Sequence, residues 1–223
     1  MVLWIFPGCP LSRTLSSLYY YFWLLLLVLS LPDLITATTT SQTSHHFSFH
    51  TVNTKYGDLQ GVRLQFSSSS AKHLDPVTAY LGIPYASPPV NAYRFMPPVA
   101  PSPWGGVHFA VNLPPACPQR FPDISNETIA LQVMTSQRYH FLLRLKPHLT
   151  NQSEDCLYLN IYVPSTGEEI RPGKFAIVLV IHGESWEWGS GNEFDGGILA
   201  SLGNHIVVTF NYRLGILGES EVP

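Results

Sequence analysis

Two short and almost wholly apolar runs, Phe175–Ile181 and His205–Phe210, limit most tightly what this chain can fold into. Neither is long enough to span a membrane or to stand as a helix. Runs of this length bounded by turn residues fit central strands buried on both faces of a sheet. Between them, Asp195–Leu202 can form a short helix that Gly203-Asn204 ends. Strand, loop, helix, strand is a βαβ unit, so the expected class is α/β.

Other segments add strands to that unit. Thr51–Phe66 alternates around Gly57 and predicts a hairpin, with Ser67–Ser70 a loop after it. Val77–Tyr85 contains a strand ended by Pro84, and Leu157–Val163 is a strand by its β-branched and aromatic content. Prolines cluster between Pro84 and Pro122, which predicts turns, short strands and extended coil there. The best helical window is Thr128–Leu145, with Ile129, Val133, Phe141, Leu142 and Leu145 roughly on one face. At 223 residues, 45% hydrophobic and 12% charged, the chain has a globular composition sized for one domain or part of a larger one. A formal net charge of −3 gives no argument for nucleic acid or an anionic membrane as partner.

The N-terminus reads as a targeting segment. Arg13 is the only charge before Asp33, and an apolar run of 14 residues follows it, Leu18–Leu31. That is short for a membrane span and right for the core of a signal peptide, with a cleavage point after Ala37. An uncleaved signal anchor is the alternative. The expected organisation is residues 1–37 as signal peptide, 38–50 as a disordered lead-in rich in Thr, Ser, Gln and His, 51–218 as folded domain and 219–223 as a divergent tail. His45, His46 and His50 have no cysteine or carboxylate at ligand spacing, so no metal or other cofactor is expected.

Cys9 leaves with the signal peptide, and the remaining pair, Cys117 and Cys156, is most simply one disulfide in an oxidising compartment. Two buried free thiols are the alternative. The sequons at Asn126 and Asn151 agree with a secretory route and predict N-glycosylation.

Several motifs now point to a family. Tyr80-Leu81-Gly82-Ile83-Pro84-Tyr85-Ala86, Arg94-Phe95-x-Pro97-Pro98, Glu154-Asp155-Cys156-Leu157-Tyr158-Leu159-Asn160 and Asn211-Tyr212-Arg213-Leu214-Gly215 occur in order. Together they resemble the signatures of the type-B carboxylesterase/cholinesterase family. Within it, Leu159–Pro164 and Gly191–Asn204 are similar to the neuroligins, and His182-Gly183-Glu184-Ser185-x-Glu187-Trp188 resembles the arthropod type. The resemblance implies the N-terminal part of an α/β-hydrolase (cholinesterase-like) fold with a mixed, incomplete central sheet, and a Cys117–Cys156 bridge. For the full-length protein it implies a catalytically dead ectodomain anchored at the plasma membrane of the synapse, homodimeric and bound to neurexin. The surfaces for both partners are expected downstream of Pro223. On this reading the chain itself is an N-terminal fragment, secreted or retained, whose exposed apolar strand edges would make it fold poorly alone.

The segment Gly183-Glu184-Ser185 stands where active members of the family place the consecutive glycines of an oxyanion hole. Such a hole needs backbone N–H groups aimed at a developing negative charge, and losing one donor costs about 3–4 kcal/mol of transition-state stabilisation. Glu184 adds bulk. Pointed inward, its carboxylate would also repel an oxyanion; pointed to solvent, it would leave the N–H able to donate. Gly183-Glu184-Ser185-Trp186-Glu187 half-matches a nucleophile elbow, but Glu187 replaces the glycine that lets helix and strand pack, and no acid–His pair follows at adequate spacing. Ser220 fails in the same way. No catalytic residue is therefore assigned, and the chain is expected not to be an enzyme. The alternative is part of a secreted carboxylesterase acting on carboxylic esters.

Overall fold

The computed structural model describes residues 43–66, 73–166, 169–170 and 174–218. The signal peptide, the Ser67–Ser70 loop and the tail with Ser220 lie outside the described residues. The side chains of residues 43–50, including His45, His46 and His50, lie outside them as well.

Strands β1 (Thr43–Thr54) and β2 (Gly57–Phe66) form the hairpin around Gly57, antiparallel from Thr54↔Gly57 outward. Strand β3 (Val77–Pro84) pairs antiparallel with β2, and the short β4 (Val107–Phe109) runs parallel to β2. Helices α1 (Glu127–Val133) and α2 (Ser136–Leu149) follow, then β5 (Tyr158–Thr166), β6 (Glu169–Ile170), β7 (Ile177–Val180), α3 (Gly197–Gly203) and β8 (Ile206–Phe210). The main sheet is ordered β1-β2-β3-β5-β8-β7. It is mixed: β7 and β8 are parallel, as the βαβ reading requires, while β5 is antiparallel to both β3 and β8.

Adjacent residues on a strand face opposite sides of a sheet, and the core divides accordingly. Ala79, Tyr162 and Val207 pack with Ala200 of α3 on one face. Tyr80, Val163 and Ile206 belong to the cluster on the other. Gly196 lets α3 approach closely, since a Cβ there would lie 2.5 Å from the Tyr162 ring and 2.8 Å from Val207. Asn204, at φ 50°, supplies the left-handed cap that ends α3.

Three expectations change. The lead-in does not extend to residue 50: β1 begins at Thr43, with His45 opposite Leu64 and a register shift between Phe47 and Thr51. Ladder pairing uses backbone N–H and C=O groups, so the ten-residue β2 can hold a polar partner strand. The single helical window is two helices. Thr135, extended at φ −73° and ψ 156°, accepts a hydrogen bond from Arg138 N as the N-cap of α2, just as Asn126 caps α1 by accepting from Ile129 N. The apolar face of α2 is Tyr139, Leu142, Leu145 and Leu149, packed on Ala130 and Trp188. Finally, β7 is not buried on both faces. It ends the strand order, and Ile177 and Leu179 are 66% and 54% exposed. Apolarity marks a strand as fit for burial but does not say where in the sheet it sits.

Candidate functional site

The family motifs, scattered along the chain, converge beside the loop that leaves β7. Asn160 on β5 donates to Thr209 Oγ1 (3.1 Å) and Asn192 Oδ1 (3.3 Å), and accepts from Gly82 N (3.0 Å). Asn192 donates in turn to Pro114 O at 2.7 Å. Asn211 accepts from Ser190 Oγ and Gly191 N, both at 2.9 Å, and donates to Pro115 O at 2.9 Å. All three asparagines are buried. A buried amide stays only where its donors and acceptors are matched, and here they tie β3, β5, β8 and the segment from Ser190 to Asn192 into one polar core. A capping box, Ser190 N to Glu193 Oε1 at 2.9 Å, closes that segment.

A second knot lies at the disulfide. Cys117 and Cys156 are bonded and buried. Near them Arg94 pairs with Glu154 at 2.6 Å, and Arg213 Nη1 donates to Arg94 O at 2.7 Å. The Arg94, Glu154–Asn160 and Asn211–Gly215 motifs are thus mutual partners in space.

The loop from Gly183 to Ser185, where the sequence leads one to expect an altered oxyanion loop, has an unusual backbone. Glu184, Ser185 and Trp186 are all left-handed, at φ 77°, 58° and 63°. Only glycine enters this region without cost; other residues lose about 1–3 kcal/mol each. The loop thus keeps a conformation suited to glycine while carrying two bulky side chains and a serine. The Glu184 carboxylate points neither into a pocket nor freely into solvent. It receives a fork of two bonds from Arg138 on α2, Nη1 to Oε1 at 3.1 Å and Nη2 to Oε2 at 2.7 Å. This pairing lowers the Glu184 pKa and raises that of Arg138. Arg138 also lies over the Trp188 ring at 5.3 Å. Nothing in the sequence announces a contact between residues 46 positions apart.

On the other flank, His182 stacks on Tyr212 at 4.1 Å with an interplanar angle of 9°, while Tyr212 OH donates to His182 O at 2.6 Å. Burial pushes the His182 pKa down to about 4, the Gly183 backbone opposing this in part. Glu193 is pushed up, first by burial and then by the charge of Glu184, against the Ser190 N–H bond. His182 and Glu193 line a cavity of about 230 Å³ with Phe141, Leu145, Val180 and Phe194. Trp186 and Tyr212 line a more open cleft of about 590 Å³. Ser185 is exposed. Asn126 and Asn151 are both exposed, at the start of α1 and just beyond α2.

A mixed sheet with a βαβ unit is consistent with part of an α/β-hydrolase fold, and sequence comparison agrees. The carboxylesterase family model matches residues 48–219, and the chain belongs to that family. Its curated relatives include neuroligins. It is 44% identical over 187 residues to Neuroligin-2 of Homo sapiens, across 76% of this chain and 22% of that protein. To Neuroligin-1 of Caenorhabditis elegans it is 42% identical over 176 residues, across 77% and 21%. To Neuroligin-3 of Mus musculus it is 39% identical over 188 residues, across 75% and 22%. The chain thus spans about a fifth of the length of these relatives.

Proposed function

We propose that the chain is part of a neuroligin-like cell-adhesion ectodomain that performs no ester hydrolysis. In its full-length form the protein would dimerise and bind neurexin at the synaptic plasma membrane. The observation that carries this reading is the loop after β7. Two glycine-type positions hold Glu184 and Ser185, in a chain 44% identical to a neuroligin. Glu184, its carboxylate tied to Arg138, adds side-chain bulk where an active esterase would carry glycine. The secretory features belong to the same reading: a signal peptide over residues 1–37, a structural Cys117–Cys156 bridge and glycans at Asn126 and Asn151.

The test is binding of a soluble neurexin ectodomain to cells that display the full-length protein. Saturable binding supports adhesion, and its absence overturns it. The second reading, a secreted carboxylesterase, is favoured by the fold alone. It requires turnover of a simple aryl acetate above the uncatalysed rate by the full-length protein.

A further inference from the structure

We propose that the Arg138–Glu184 pair is a latch that holds the loop from Gly183 to Trp186 in its left-handed turn, doing with charge what glycine does by conformational freedom. Three observations converge. Glu184, Ser185 and Trp186 occupy positive φ without being glycine, so the loop is strained as it stands. Its two ends are pinned by the fold: His182 O accepts from Tyr212 OH at 2.6 Å, and Trp186 O accepts from Gly215 N at 2.8 Å. Between these pins the loop is open. A Cβ added at Gly183 would meet nothing within 4 Å, and Ser185 is exposed. Glu187 N donates to Glu184 O at 3.1 Å within the turn, and the Trp186 ring lies 5.3 Å from that of Tyr212. The Glu184 side chain is gripped from α2 by the Arg138 fork, each nitrogen on one carboxylate oxygen. A bidentate pair fixes the plane of the carboxylate as well as its position, and so constrains the Glu184 backbone behind it. Arg138 is itself held, over the Trp188 and Phe141 rings at 5.3 and 5.5 Å. Arg138 is a positioning residue here, and the strained turn is the element it positions.

The test is the rate of chymotryptic cleavage at the Trp186–Glu187 bond in the full chain, each variant normalised to a free peptide of its own loop sequence. A protease needs an extended segment, so cleavage reports release of the turn. Arg138→Ala is expected to raise the rate roughly 1.5- to fivefold, the range for a partly exposed pair. Arg138→Lys is expected to recover less than half of that protection, because an ammonium cannot make the fork. Adding Glu184→Gly and Ser185→Gly to Arg138→Ala is expected to restore resistance, since glycine holds the turn without a latch. Failure of the glycines to restore resistance, or no acceleration in Arg138→Ala, would overturn the proposal. If Arg138→Ala does not fold, Glu184→Gln with Arg138 intact decides: it keeps the side chain's shape and loses the charged fork, so accelerated cleavage supports the latch and native-like resistance refutes it.

Discussion

Two residues show how the site is held together and give measurable consequences. His182 is half-buried, stacked on Tyr212, and burial pushes its pKa down from 6.5 to about 4. Its unfolded form therefore binds a proton over a pH range in which the native form does not. Stability rises with pH wherever the unfolded state holds more protons. The contribution is complete above about pH 6.5 and is lost as pH falls from there toward 4, by up to roughly 3 kcal/mol. Urea unfolding of the chain at pH 7 and pH 5 should show this loss, and His182→Phe should flatten it while keeping the stacking surface. Asn211 is the second case. Replacing it with Ala removes the acceptor of the Ser190 hydroxyl and of the Gly191 N–H and the donor to the Pro115 carbonyl, while Ser190 Oγ still accepts from Asn192 N. Each lost partner costs about 1–3 kcal/mol in isolation, and shared relaxation brings the sum to roughly 2–4. Asn211→Asp, which keeps the acceptor and loses the donor to Pro115, should fall between the two in a urea melt.

At the scale of elements, what could be read in advance was what local chemistry decides. Alternation around Gly57 marked the hairpin, β-branched content marked β5, and two apolar runs around a capped helix marked the parallel pair β7 and β8. What escaped was decided by partners distant in sequence. Thr128–Leu145 looked like one helix because its apolar spacing survives across Met134, where Thr135 instead starts α2 afresh. The polar start of β1 looked like a lead-in because its partner is a backbone ladder. The three asparagines were legible as motif letters, while their bonds to one another and to Pro114 and Pro115 were not. Strand β7 shows the same limit and yields a prediction. Among the described strands it pairs with β8 alone, and it presents Ile177 and Leu179 to solvent. An exposed apolar edge is a template for intermolecular pairing, and natural edges are blunted with lysine. Leu179→Lys should therefore reduce light scattering of the concentrated chain. Its melting free energy should change by no more than about 0.5 kcal/mol, as for other exposed positions.

At the scale of the whole molecule, the proposed secretory route makes demands that the fold can meet. An acceptor asparagine must be exposed, and its glycan must not displace a contact the fold needs. Asn151 is exposed just beyond α2, and its backbone carbonyl, not its side chain, accepts from Ala116 N at 2.9 Å. Asn126 is a sharper case, because its side chain caps α1. The cap uses Oδ1, which accepts from Ile129 N at 3.2 Å. The glycan is joined through Nδ2, so the capping oxygen stays free. Capping and glycosylation are compatible at Asn126, and neither sequon conflicts with the Cys117–Cys156 bridge. Expression in secreting animal cells should therefore give a chain that loses mass in two steps as N-glycosidase digestion proceeds. Asn126→Asp keeps the Oδ1 acceptor at the start of α1 and Asn151→Gln keeps an amide, and each should remove one step. The double variant should migrate as the digested wild type. If the wild type loses mass in a single step and Asn126→Asp leaves that step in place, the sequon is unused, and the role of Asn126 is confined to capping α1.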